Sequence, residues 1–179
     1  MRKVLAGLAL AAATTAIPAQ AEVTASSESG FVASGSRDLP GVSPVQAWAE
    51  LVRPQDWWSD AHSWSGDAAN MTLDARAGGC FCEAIPADQA GSVEHMQVVH
   101  VQPGSLLVMR GSLGPLQGEA LTGVLTVTLE PLGEGGTRLG WRYVVGGFAR
   151  FALTEMAAPV DGVIGEQMGR LAARLSGSR

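Results

Sequence analysis

The spacing of apolar residues divides the chain into a strand-rich central part and a helical end. Between Met71 and Val145, apolar and polar residues alternate in short segments that are separated by Gly and Pro. Successive side chains of a strand point to opposite faces, so this pattern predicts an antiparallel sheet with one apolar and one solvated face. From about residue 155 to 175 the apolar residues recur at helical spacing, which predicts one long C-terminal helix.

The segment before the central strands predicts a further strand and a short helix. Residues 30–37 indicate a weak first strand, because their side chains are small. Ser43 followed by Pro44 is typical of a helix start, and Pro54 ends that helix. Residues 22–29 are polar and rich in Ser, and we interpret them as a flexible lead-in.

This order of elements predicts an α+β fold. We expect a curved antiparallel sheet of about six or seven strands wrapped on the long C-terminal helix. A helix about 10 Å wide cannot cover such a sheet completely. The uncovered part of the apolar face would then form a pocket, and this geometry is the main ground for predicting that the protein binds a ligand.

The N-terminus has the features of a cleavable signal peptide. Arg2 and Lys3 precede an apolar stretch over residues 4–17, and the segment ends in the small-x-small pattern Ala19-Gln20-Ala21. The apolar stretch is shorter than the roughly 20 residues that span a bilayer. An ordinary N-terminal helix is the alternative. We therefore expect removal of residues 1–21 and a periplasmic or secreted protein.

The composition of the remaining 158 residues fits one domain, which we place at residues 30–176. Without residues 1–21 the chain has no lysine, and its 10 basic residues face 17 acidic ones. Binding to nucleic acid or to an anionic membrane requires clustered cations, so we expect neither partner. No later segment is apolar enough to predict a transmembrane helix in the mature chain.

The two cysteines, Cys80 and Cys82, lie two positions apart on a predicted strand. Strand geometry separates such Cα atoms by about 6.5–7 Å, at the edge of disulfide geometry. We therefore favour two small buried apolar side chains over a disulfide bond.

Several local stretches, in this order and spacing, resemble one known superfamily. They are Ser43-Pro44 with Trp48, Trp57 before Trp64, residues 77–83, residues 93–96, Val101 with Pro103-Gly104, residues 111–117, residues 136–139, and residues 160–162 with Glu166-Gln167. The chain from about Ser29 to Leu175 is similar to the START/SRPBCC superfamily, whose helix-grip fold matches the predicted element order. These stretches also look like its bacterial polyketide-cyclase and heat-shock-ATPase-activator branches.

This resemblance implies a cavity between sheet and C-terminal helix for a small hydrophobic molecule, such as a lipid or a polyketide, and no shared catalytic triad. We expect the ligand to contact aromatic, apolar and polar side chains of these elements. They are Trp57, Trp64, Met71, Leu73, Glu83, His95, Arg110, Trp141, Tyr143 and Ile164. We expect no cofactor and no metal site, since His95 and His100 point to opposite faces of one strand.

Two functions follow from this reading. The first is a non-catalytic binding protein for a small apolar ligand. The alternative is a cyclase- or dehydratase-like enzyme in which His62, His95 or Glu83 carries a proton, and this enzyme needs a histidine or carboxylate inside the cavity. The faces occupied by His95, Glu83 and Arg110 would discriminate between them.

The predicted C-terminal helix also carries a stripe of small residues. Ala158, Gly162, Gly165, Gly169 and Ala172 fall on one side of it at 100° per residue. One hypothesis is that these glycines let the helix move and admit ligand, or let a protein partner approach closely. A third function, a protein-interaction module, rests on this stripe and the acidic surface. Composition bias toward Gly and Ala on an exposed face is the alternative.

Overall fold

The computed structural model describes residues 22–86, 90–133 and 135–177. The predicted signal peptide, residues 1–21, lies outside the described residues. The strands and helices follow in the order β1 (Glu22–Ser27), β2 (Gly30–Pro40), α1 (Pro44–Leu51), β3 (Met71–Leu73), β4 (Cys80–Ile85), β5 (Gly91–Gln102), β6 (Leu106–Arg110), β7 (Ala120–Pro131), β8 (Gly136–Phe148) and α2 (Leu153–Gly177). Short 3₁₀ turns interrupt the connections at Pro54–Asp56, Asp60–His62, Ala68–Asn70 and Gly114–Gly118.

The strands form one antiparallel sheet in the order β1-β2-β8-β7-β6-β5-β4-β3. The helix α2 packs against β2 and β1. The core lies between α2 and the apolar face of the sheet, where Leu107, Leu125 and Leu139 are fully buried. The predicted α+β class and the open, curved antiparallel sheet against one long C-terminal helix are therefore confirmed.

The sheet has eight strands among the described residues instead of six or seven, because β1 pairs with β2. Residues 22–27 are thus a strand and not the flexible lead-in that the sequence indicated. Almost all of the β1 side chains are exposed, and only Val23 packs against the core. The strand is held by its backbone hydrogen bonds, which a hydrophobic pattern does not reveal.

The start of α1 follows the sequence signal closely. The Ser43 hydroxyl accepts a hydrogen bond from the Gln46 backbone N–H at 3.3 Å, and the Gln46 side chain accepts one from the Ser43 backbone N–H at 2.9 Å. This capping box satisfies two N–H groups that an open helix end would leave without partners, with Pro44 in the first turn. The predicted helix start is confirmed.

The weak strand prediction for residues 30–37 is also confirmed, and the strand extends to Pro40. Its small residues have a packing reason. A Cβ atom at Gly35 would lie 2.8 Å from Cε2 of Trp141 on β8, closer than such atoms can approach. Only glycine leaves room for the Trp141 ring at this position.

The cysteines correct the sequence interpretation. Cys80 and Cys82 form a disulfide bond, and their side chains are half-buried on the face of β4 opposite Phe81 and Glu83. The register of β4 against β5 shifts between Phe81 and Cys82. Their Cα atoms lie 5.4 Å apart, inside the usual disulfide range, whereas the regular strand assumed from sequence would separate them further.

Candidate functional site

A cavity of about 280 Å³ lies between the sheet, the segment 58–64 and the first half of α2. Its walls are mainly apolar, and the polar groups among them belong to two histidines, one serine and two tryptophans. The lining residues are Trp58, Ala61, His62, Ser63, Trp64, His95, Leu113, Gly114, Pro115, Met156, Pro159, Val160, Val163 and Ile164. The hollow expected between sheet and helix is therefore present.

A β-bulge turns His95 into this cavity. Phe81 pairs with Met96 and Cys82 with Glu94, so His95 is an extra residue on β5. His95 and Met96 are both buried although they are neighbours, which a regular strand would not allow. The bulge is the local feature that places an imidazole in the wall of an apolar pocket.

Glu83 on the neighbouring strand holds the imidazole. The side chain of Glu83 is fully buried, and its Oε2 lies 2.9 Å from Nε2 of His95. The backbone N–H of Trp64 donates to Oε2 at 3.0 Å, and that of Ser65 donates to Oε1 at 2.5 Å. One carboxylate thus fixes both the histidine and the chain segment that forms the cavity rim.

The charge states follow from these contacts. Burial acts to raise the pKa of Glu83, but the hydrogen bonds from Ser65, Trp64 and His95 outweigh it, and the pKa lies below its ordinary value. Burial lowers the pKa of His95, and the hydrogen bond to Glu83 opposes this only in part. At neutral pH the pair is a carboxylate beside a neutral imidazole.

Residues 113–115 form another part of the cavity wall, and Tyr143 holds the segment 111–115 that contains them. The hydroxyl of Tyr143 donates to the Gly111 carbonyl at 3.2 Å and accepts from the Leu113 backbone N–H at 3.1 Å. Burial raises the pKa of Tyr143 to about 12, so the phenol keeps its proton. A Cβ at Gly111 would lie 2.5 Å from the His95 carbonyl oxygen, so glycine is needed where this wall meets β5.

The rim of the cavity, formed by residues 62–64, is more polar and more exposed than the part around His95 and Ile164. Nε2 of His62 lies 3.2 Å from Oε2 of Glu166 on α2, and both side chains are partly exposed. Trp64 is 55% exposed although it lines the cavity. The indole N–H of Trp58 donates to the His62 carbonyl at 2.9 Å, which ties the rim segment together.

The structure brings together only part of the predicted ligand-contact set. Trp64, His95 and Ile164 line the cavity, and Glu83 lies directly behind His95. Trp57 and Leu73 line a separate void of about 20 Å³, which has room for little more than one water molecule.

The remaining predicted contacts lie elsewhere. Met71, Trp141 and Tyr143 are core residues, with Tyr143 acting on the cavity wall through its hydroxyl. Arg110 is exposed, because Leu107 and Met109 occupy the inward positions of β6. Arg110 therefore lies outside the lining of the cavity.

The ligand-contact set predicted from sequence omitted much of the lining. Trp58 and His62 lie in the stretch 57–64, which is dense in tryptophan and polar residues. Met156, Val160 and Val163 are among the apolar residues that recur at helical spacing near the C-terminus. Both patterns were visible in the sequence, but helical spacing does not show which apolar residues of a helix face border a cavity. The loop residues Leu113–Pro115 carried no signal of this kind.

Comparison with known proteins agrees with this architecture. The sequence matches the family described as "Polyketide cyclase / dehydrase and lipid transport" over residues 31–176, and the chain belongs to this family. No curated protein sequence matches the chain.

Solved structures share the fold at low sequence identity. Protein MLL2253 from Mesorhizobium loti is 21% identical with a TM-score of 0.55, and the match covers 83% of this chain and 98% of that chain. Protein Mll3558 from Rhizobium loti is 22% identical with a TM-score of 0.56, and the match covers 80% of this chain and 96% of that chain. An uncharacterized protein from Rhizobium leguminosarum is 16% identical with a TM-score of 0.58 over 82% of this chain and 96% of that chain.

Proposed function

We propose that this protein is an exported binding protein that holds a small hydrophobic molecule in the cavity beneath the first half of α2. The cavity of about 280 Å³ with its mainly apolar lining carries the proposal. Apolar walls with a few fixed polar groups are typical of sites for small molecules. The family description, which includes lipid transport, supports the same class of ligand.

The volume of the cavity limits the size of the ligand. Sites for drug-sized molecules occupy roughly 300–1,000 Å³, and this cavity of about 280 Å³ lies just below that range. A molecule of one or two rings, or a short acyl chain, fits this volume. A lipid with two long chains would leave most of its apolar surface outside the cavity.

Two observations support export. The first 21 residues have the charged, apolar and small-x-small regions of a signal peptide. Cys80 and Cys82 form a disulfide bond, and disulfides persist in oxidising compartments and are rare in the cytosol. No helix among the described residues is long and apolar enough to cross a membrane.

Native mass spectrometry of the exported protein tests the binding proposal. We expect a bound small molecule that solvent extraction releases and identifies. Val160→Trp should fill the cavity and abolish the bound mass, whereas Val45→Trp should not, because Val45 is 73% exposed on α1. A bound species that survives Val160→Trp would contradict binding in this cavity.

The N-terminal sequence of the same exported sample tests the localisation. We expect Glu22 as the first residue of protein recovered outside the cytoplasm. Recovery of the full-length chain from the cytoplasm alone, with Met1 or Arg2 at its start, would contradict export.

A proton-transfer enzyme is the second candidate, and His95 is the observation that favours it. An enzyme of this kind requires a histidine or carboxylate in the cavity. His95 lines the cavity, and its imidazole contacts the Glu83 carboxylate behind it. A carboxylate that orients a neutral imidazole is an arrangement used for general-base catalysis. Turnover of a small polyketide by the wild type, and its loss in His95→Gln, would favour this function.

A further inference from the structure

The deepest polar group of the cavity is His95, and its hydrogen bonds define what it offers to a ligand. His95 is 4% exposed and lines the cavity beside Ile164. The other polar side chains of the lining lie at the rim: His62 pairs with Glu166, the Ser63 hydroxyl donates to the Asp60 carbonyl, and Trp64 is 55% exposed. His95 is thus the polar group that a ligand meets beyond the rim.

The position of the imidazole proton follows from Glu83. An ionised carboxylate only accepts hydrogen bonds, and the two backbone N–H donors on Glu83 favour its ionised form. Nε2 of His95, at 2.9 Å from the carboxylate, must therefore carry the proton. A neutral imidazole with Nε2–H has a lone pair on Nδ1.

That Nδ1 atom faces open space. No described residue donates a hydrogen bond to it, yet it is not among the buried side-chain atoms that lack a partner, so it retains accessible surface. The space next to the ring is the cavity. An unpaired acceptor therefore points into an otherwise apolar hollow.

We propose that the natural ligand is a small apolar molecule that carries a phenolic, enolic or alcoholic hydroxyl, and that this hydroxyl donates a hydrogen bond to Nδ1 of His95. This inference rests on the proposed function and adds the chemical class of the ligand. A purely apolar ligand would bury Nδ1 without a partner, which costs affinity. A ligand that offers only carbonyl oxygens would place two acceptors face to face.

Two probes of nearly equal size test the hydroxyl requirement by calorimetry. 2-Naphthol has a hydroxyl where 2-methylnaphthalene has a methyl group. We expect the wild type to prefer 2-naphthol about tenfold over 2-methylnaphthalene, the gain that one net hydrogen bond provides.

His95→Gln isolates the role of Nδ1. The glutamine amide reaches the position of Nε2 and can still donate to Glu83, but it offers no acceptor at the position of Nδ1. We expect the variant to lose most of the preference for 2-naphthol and to keep its affinity for 2-methylnaphthalene. His100→Gln is the matched control on the same strand: His100 is exposed and lies outside the cavity lining, so the preference should be unchanged.

The outcomes separate this inference from the proposed function. If neither probe binds the wild type, the cavity proposal itself fails. If both probes bind the wild type and His95→Gln with the same ratio, the cavity stands and the acceptor role of His95 is overturned.

Nitrogen NMR of the wild type gives a readout that does not depend on any variant. Nδ1 of His95 should resonate as an unprotonated nitrogen and should shift when 2-naphthol binds, while Nε2 should remain protonated. A protonated Nδ1 at neutral pH would overturn the inference even if every variant failed to fold.

Discussion

The two halves of α2 differ in how firmly they are held. In the second half, Met168, Leu171 and Leu175 are buried against the core, and Arg170 donates from Nε to the Trp57 carbonyl at 2.9 Å. The first half borders the cavity, with Met156 and Val160 only partly buried. One helix therefore has a packed half that secures the fold and a hollow half that is available to a ligand.

The sequence of the hollow half reinforces this difference. Pro159 lies inside the helix, where it lacks the N–H that would bond to the carbonyl of Glu155. Gly162 follows three residues later, and glycine is a weak helix former. Local opening of proteins concentrates where buried contacts and helix hydrogen bonds are few, so this half is where we expect ligand entry.

The largest expected effect comes from truncating the packed half. Met168→Ala should lower the free energy of unfolding by about 2–5 kcal/mol, because it leaves a cavity among fully buried neighbours. Val160→Ala in the hollow half should cost about 1 kcal/mol or less, since one side of Val160 already faces empty space. Chemical denaturation measures both, and equal losses would contradict the distinction between the halves.

Glu83, across the cavity from the hollow half, gives the next largest effect. Glu83→Gln leaves one of the Trp64 and Ser65 backbone N–H groups without an acceptor, and we expect a loss of about 1–3 kcal/mol at neutral pH. Because the pKa of Glu83 is lowered in the folded state, its contribution is present above its unfolded pKa of about 4.5 and is lost as pH falls through the folded value.

The difference between wild type and Glu83→Gln should therefore shrink in acid. The pKa values of Asp38, paired with Arg138, and of Glu119, paired with Arg150, are also lowered, but both pairs are common to the two proteins and their contributions cancel. A difference that stays constant from neutral to acidic pH would show that the ionised carboxylate does not stabilise this wall.

The sequence predicted the sheet and α2 better than it predicted the residues that line the cavity. Period-two and helical spacing identified the sheet and α2, because burial of a continuous apolar face leaves a regular pattern. The position of His95 in the cavity depends on a bulge and on Glu83 of another strand, and neither the extra residue nor the pairing register is encoded in a local pattern. The disulfide was not expected because no sequence pattern shows that Cys80 and Cys82 lie closer together than a regular strand would place them.

A smaller effect is expected at Asp161, on the same turns of α2 that border the cavity. Asp161 is 9% exposed and its Oδ1 has no hydrogen-bond partner. Burial, and next the charge of Glu22 on β1, raise the pKa of Asp161. Its ionised form therefore destabilises the fold at pH values above the raised pKa, and the penalty disappears as pH falls below the unfolded value of about 3.8.

Asp161→Asn should raise the free energy of unfolding by about 1 kcal/mol at neutral pH, because it removes a poorly satisfied buried charge. The gain should vanish in acid, opposite in sign to the Glu83→Gln effect over the same range. Thermal unfolding at neutral and acidic pH measures it. A loss of stability at neutral pH would mean that Asp161 has a stabilising contact that this interpretation omits.

The smallest expected change in stability is also the most direct test of movement in the hollow half. A Cβ at Gly162 meets no atom within 4 Å, so Gly162→Ala should stabilise the helix by about 0.5–1 kcal/mol. If the first half of α2 opens to admit ligand, the same change should slow the release of 2-naphthol in stopped-flow measurements.

Gly169→Ala is the matched control in the packed half, where the new Cβ would lie 3.4 Å from Nη2 of Arg37, an approach that this flexible side chain can absorb. It should leave the release rate unchanged, because that half is anchored through Arg170 and does not need to move. Equal slowing by both variants would mean that α2 moves as one rigid body, and no change in either would remove the helix from the entry route.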